Sequence, residues 1–159
     1  MRKIVLIFFC CVIISIYGKN NETIVVFYFG SNSCGFCDNI DLIKSVKKIR
    51  TELPNIYPEI KIKFVQVCMD ENIEEGIKFL KKYGYWDEIS IGSHYQNELV
   101  LAYLSKTKIA GVPHLIIYND KYSNSSTPVI IKRKIILDKV GVKQIVRWVE
   151  DKFPLNMAR

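Results

Sequence analysis

Two cysteines separated by two residues, Cys34-Gly35-Phe36-Cys37, are the side chains in this chain best suited to chemistry. A thiolate attacks a disulfide sulfur, and a second thiol within reach attacks the resulting mixed disulfide and releases the product. The motif follows a β-branched and aromatic run, TIVVFYF at residues 23–29, and precedes Ile40, Ile43, Val46 and Ile49 at helical spacing. That pattern predicts a strand, then a helix from Cys34 that is capped by Ser33 and stops before Pro54. A thiol in a first helical turn faces free N–H groups and the positive end of the macrodipole, which favour its ionised form. Cys34 is therefore the expected nucleophile. Cys37, three residues on along the same face, is the expected resolving thiol. Gly35 lets a substrate backbone approach, and Phe36 adds an apolar contact without charge.

The pair also has two bland readings, a permanent disulfide and half of a zinc site. Structural zinc normally takes four ligands, and only Cys68, His94 and His114 remain to complete such a set, with no second paired spacing, so no metal is expected. Cys68 ends a second apolar strand and is expected in the core. His114 is a candidate modulator. Protonated and beside Cys34 it would stabilise the thiolate, whereas a strand histidine pointing away would not. His94 reads as a loop residue. Tyr83, Tyr85 and Trp86 read as packing on the sheet, with a partner-binding face as the alternative. Lys47, Lys48, Lys81 and Lys82 read as solvated helix faces.

The elements that must position the motif follow from periodicity. Residues 60–69 alternate and then become continuously apolar, which predicts a second strand, parallel to the first and joined to it by a right-handed crossover. Helices are expected at 73–83 and 97–104 around an irregular connection at 84–93. A strand at 113–118, a polar turn at 119–127, a strand at 129–137 and a helix at 139–152 complete the chain, the last two strands pairing as an antiparallel hairpin. Pro113 cannot donate to a ladder, so a strand opening on Gly111-Val112-Pro113-His114 implies a constrained turn, with a cis bond open to it.

The order strand, CxxC, helix, strand, then helix, Val-Pro, strand, strand, helix over residues 22–152 resembles the thioredoxin fold. The Gly-Val-Pro form resembles exported bacterial thiol-disulfide interchange proteins. The resemblance implies an α/β domain, with a mixed four- to five-stranded sheet flanked by helices and a helical insertion around residues 70–110. It also implies that Val112 and Pro113 lie against the CxxC and bind the extended backbone of a substrate. The chain departs from that family in three places. Ser33 stands where a tryptophan often precedes the first cysteine, and Tyr28 stands at the strand position of a buried acid. The third is the insertion.

With 159 residues, 49% hydrophobic and 12% aromatic, the chain is long enough for one folded domain. Its net charge of +7 is spread along the chain, so no nucleic-acid arm is indicated. Arg2 and Lys3 precede an uncharged apolar run at residues 4–17, followed by polar residues, the layout of a secretory signal peptide. Residues 1–18 are expected to be removed, leaving a thioredoxin-like domain at 19–159. That product carries +5 and has no stable membrane span. The expected protein is an exported, monomeric thiol-disulfide oxidoreductase of the periplasm or cell envelope, or secreted. It leans towards reduction, needs no cofactor, and acts on protein thiols or disulfides with a separate redox partner. The alternative is a non-catalytic binding or chaperone-like module that uses the same groove.

Overall fold

A computed structural model describes residues 21–157 of the chain. The expected signal segment, residues 1–18, therefore lies outside the described residues. Five strands form one mixed sheet: β1 (Glu22–Gly30), β2 (Lys61–Cys68), β3 (Glu88–Ile91), β4 (His114–Tyr122) and β5 (Ile130–Val140). Their order is β3-β2-β1-β4-β5. β1, β2 and β3 run parallel, and β4 and β5 are antiparallel additions beside β1. The helices are α1 (Ile40–Ile56), α2 (Ile73–Lys82), α3 (Glu98–Ala102) and α4 (Val142–Glu150). This is the α/β mixed-sheet architecture expected from the sequence.

β1 is apolar on both faces because it is the central strand. Ile24, Val26 and Tyr28 face a core shared with Leu42, Val46, Ile49 and Leu53 of α1, Phe79 and Leu80 of α2, and Ile145, Trp148 and Val149 of α4. Val25, Phe27 and Phe29 face a smaller cluster closed by Val100 of α3 and Leu104. β1 ends at Gly30, where a side chain is excluded: a Cβ there would lie 2.3 Å from the ring of Phe79. Phe79 thus packs directly on the backbone that leads into the CxxC.

Several boundaries differ from expectation. The long helix begins at Ile40 instead of Cys34, because the Asn39 side chain accepts from the N–H groups of Asp41 and Leu42, and Ser33 caps nothing. The cysteines sit instead around a separate four-residue 3₁₀ turn, Gly35–Asp38. α1 also runs through Pro54, which lies in its last turn. Only one ladder bond is lost there, and Tyr57 N–H still reaches the Leu53 carbonyl. The connection expected at 84–93 contains β3, a short edge strand. β5 continues to Val140 because Asp138, Lys139 and Val140 still pair with Ile116, Leu115 and His114 of β4, and Gly141, with φ of 80°, turns the chain into α4. Among the described residues, no helix is long and apolar enough to cross a membrane.

Candidate active site

The site forms where the C-terminal end of β1 meets the loop before β4. Cys34 is half-buried, with its N–H on the Ser31 carbonyl (3.2 Å) and its Sγ 3.7 Å from the carbonyl oxygen of Val112. The Val112–Pro113 peptide is cis. Cys37 lies beneath Cys34, fully buried, and its N–H donates to the Cys34 carbonyl at 2.9 Å. Burial pushes the Cys37 thiol well up from its ordinary value, and the hydrogen bond with the Cys34 thiol adds to this, against an opposing contact from the Ser31 backbone. One thiol therefore meets solvent while the other stays protonated behind it. Gly35 is open, with nothing within 4 Å of where a Cβ would stand, and Phe36 is 75% exposed. Ile40, 67% exposed, extends this apolar rim. Val112 is half-buried between the two cores, and Pro113 is buried.

Cys34, Cys37 and Val112 are thus brought together, and His114 is not. His114 pairs across the ladder with Phe29 and so shares its face of the sheet, the opposite face from Tyr28 and Cys37. Its ring is buried, with Nδ1 at 3.1 Å from the Gly111 carbonyl oxygen and Nε2 at 2.6 Å from Asp138 Oδ1. It ties the Val112-Pro113 loop to β5, with both ring nitrogens engaged by Gly111 and Asp138.

Asp70, which carried no signal in the sequence, anchors the loop before Cys34. Its carboxylate accepts from Ser31 Oγ at 2.7 Å, Asn32 N–H at 2.6 Å, Ser33 N–H at 3.3 Å and Cys68 Sγ at 2.9 Å. Burial works against its ionisation. The hydrogen bonds from Cys68, Asn32, Ser31 and Ser33 outweigh that and hold its carboxyl below the ordinary value. Cys68 itself is buried. Burial, together with its bond to Asp70, pushes the thiol up to about 12, so it serves as a structural donor. The side chain of Asn32 extends the network to α2, donating to Glu75 and accepting from Lys82, which also pairs with Asp38 at 2.6 Å. Lys82 is therefore engaged at the site instead of merely solvated. Of the aromatic residues near it, Tyr83 and Trp86 are buried against Tyr28, while Tyr85 is 76% exposed and lies against the Arg50 guanidinium. Among the described residues, no group of three or more His, Cys, Asp or Glu is placed to hold a metal ion.

With this geometry in place, the chain can be set beside known proteins. It matches the thioredoxin domain of a thiol-disulfide oxidoreductase from Bacteroides vulgatus with 18% identity and a TM-score of 0.50, over 86% of this chain and 84% of that one. It also matches a putative thiol:disulfide interchange protein DsbE from Chlorobium tepidum, with 14% identity and a TM-score of 0.46, over 86% and 80% of the two chains. StoA from Bacillus subtilis matches with 19% identity and a TM-score of 0.45, over 83% and 82%. No protein-family model and no curated protein matches the chain. The fold is the thioredoxin fold, and the site on it is a pair of close, unequal thiols beside a cis-proline loop.

Proposed function

We propose that this protein is an exported thiol-disulfide oxidoreductase that exchanges disulfides with protein substrates. One observation carries the reading: a half-exposed Cys34 thiol stands over a buried, protonated Cys37 and against the Val112 carbonyl. Cys34 Sγ, as thiolate, attacks one sulfur of a substrate disulfide, whose other sulfur leaves as thiolate and takes a proton from solvent. Cys37 then loses its proton to solvent and attacks Cys34 Sγ. The Cys34–Cys37 bond forms, the bond from Cys34 to the substrate breaks, and the second substrate sulfur leaves as thiolate and takes a proton from solvent, so the substrate departs with two thiols. The substrate is reduced by two electrons and the cysteine pair oxidised by two, to be restored by a redox partner. Open space at Gly35 and the apolar Phe36, Ile40 and Val112 suit an extended, partly unfolded chain.

The reaction runs in the reducing direction. Phe36 brings no charge between the cysteines, His114 is bonded to Asp138 on the other face, and the macrodipole of α1 acts at Asn39, beyond the 3₁₀ turn. With little to stabilise the reduced form, the potential is expected nearer the thioredoxin end, about −270 mV, than the strongly oxidising end, about −120 mV. Equilibration with glutathione checks this, and His114→Ala should leave the value in place. A wild-type potential at the oxidising end would defeat the direction. Export rests on residues 1–18, and mass spectrometry of the protein from the cell envelope should find them removed. An intact N-terminus in the membrane fraction would defeat it.

A further inference from the structure

The break between the 3₁₀ turn and α1 leaves the carbonyl of Cys37 without a helical partner, since the N–H of Asp41 is taken by the Asn39 side chain. Tyr83, at the C-terminal end of α2, fills that position: its hydroxyl donates to the Cys37 carbonyl oxygen at 2.5 Å. A carbonyl only accepts, so the Tyr83 proton is committed to it, and Tyr28 must be the donor in its 2.8 Å bond to the Tyr83 oxygen. Both rings are held. Tyr28 and Tyr83 pack with centroids 4.8 Å apart, Phe79 lies 5.1 Å from Tyr83, and Trp86 stacks on Tyr28. The neighbouring Lys82 grips Asp38, so the end of α2 holds two consecutive residues of the turn, one by its backbone and one by its side chain.

We propose that Tyr83 is a positioning residue for the resolving step: oriented by Tyr28, it fixes the backbone of Cys37 so that its sulfur can reach Cys34 in a mixed disulfide. This rests on the thiol-disulfide reading above. Tyr28 stands at the strand position where the resemblance implies a buried acid, but neither phenol is a proton acceptor. Burial first, and then Tyr83 and the two thiols, raise the Tyr28 hydroxyl well above its ordinary value; burial also raises Tyr83, where the opposing bond from Tyr28 is outweighed with the help of Cys37, Asp38 and Cys34, so both remain donors. Their effect is on geometry, and it falls on Cys37 alone. Cys34 is held from other directions, by Ser31 and Val112.

Attack and resolution separate in the reaction of the reduced protein with the aromatic disulfide dithiobis(nitrobenzoate). Attack by Cys34 releases one coloured thiolate at a rate that depends on reagent. Attack by Cys37 on the mixed disulfide releases the second at a rate that does not. Tyr83→Phe should slow the second phase about tenfold, equivalent to about 1.4 kcal/mol, and leave the first within about twofold. Tyr28→Phe, which keeps the Tyr83 bond but removes its orienting donor, should slow the second phase about two- to threefold, again with the first unchanged. Equal slowing of both phases, or an unaltered second phase in both variants, would overturn the role given to Tyr83. A wild-type protein with no reagent-independent phase would instead overturn the thiol-disulfide reading itself.

Discussion

Asp70→Ala is expected to lower the unfolding free energy by about 3 kcal/mol, the largest loss for any single polar side chain at the site. Four donors converge on this carboxylate: the Ser31 hydroxyl, the Asn32 and Ser33 N–H groups, and the Cys68 thiol. Removing it leaves them without an acceptor in a region where Ser31 and Cys68 are buried, and buried donors left unsatisfied are costly. Urea denaturation at neutral pH measures the change, and a loss below about 1 kcal/mol would contradict the account. The same residue sets a pH dependence. Folding lowers the Asp70 pKa from the ordinary 3.8, so as pH falls the unfolded chain takes up the proton first. The stabilisation is complete above the unfolded value and is lost as pH falls from about 4 through the folded value. Asp70→Asn should therefore be less stable than wild type at neutral pH and should show a shallower decline in acid. An unchanged acid limb in this variant would show that Asp70 is not the titrating group.

Asp70 and Tyr83 mark what the sequence does not reveal. Asp70 is a single acid just past an apolar strand, and its partners at Ser31, Asn32 and Ser33 become neighbours only when β2 lies beside β1. Tyr83 closes an acceptor 46 residues away, and its aromatic character reads equally well as core packing. Features whose signal is local were legible. The buried central strand, the cysteine pair at its end, the parallel crossover and the closing hairpin follow from composition and period. The helix start at Ile40 had a local signal too, in Asn39 followed by Asp41, but the helical pattern extended back to the cysteines suggested an earlier cap. β3 escaped because four residues of mixed polarity, Glu88–Ile91, at the edge of a sheet are too few to show a period. The register of His114 could not be read without the ladder to Phe29, yet that register decides that it faces away from the thiols.

The second large effect is an all-or-none difference between the two cysteines, and it bears on the central claim. Cys34 is reachable, while Cys37 is buried and held protonated. A Cys37→Ser protein can attack a substrate disulfide but has no thiol with which to resolve the product, so the mixed disulfide on Cys34 accumulates. Among the described residues, a Cys34→Ser protein retains only the buried thiols of Cys37 and Cys68 and should form no adduct. Both variants are incubated with a disulfide-bonded protein, separated on non-reducing gels, and the linked peptide is identified by mass spectrometry. The account predicts adducts through Cys34 in Cys37→Ser and none in Cys34→Ser. Equal yields from the two variants would contradict the assigned roles, and no adduct from either would contradict thiol-disulfide exchange and favour a module that binds its partners without covalent chemistry.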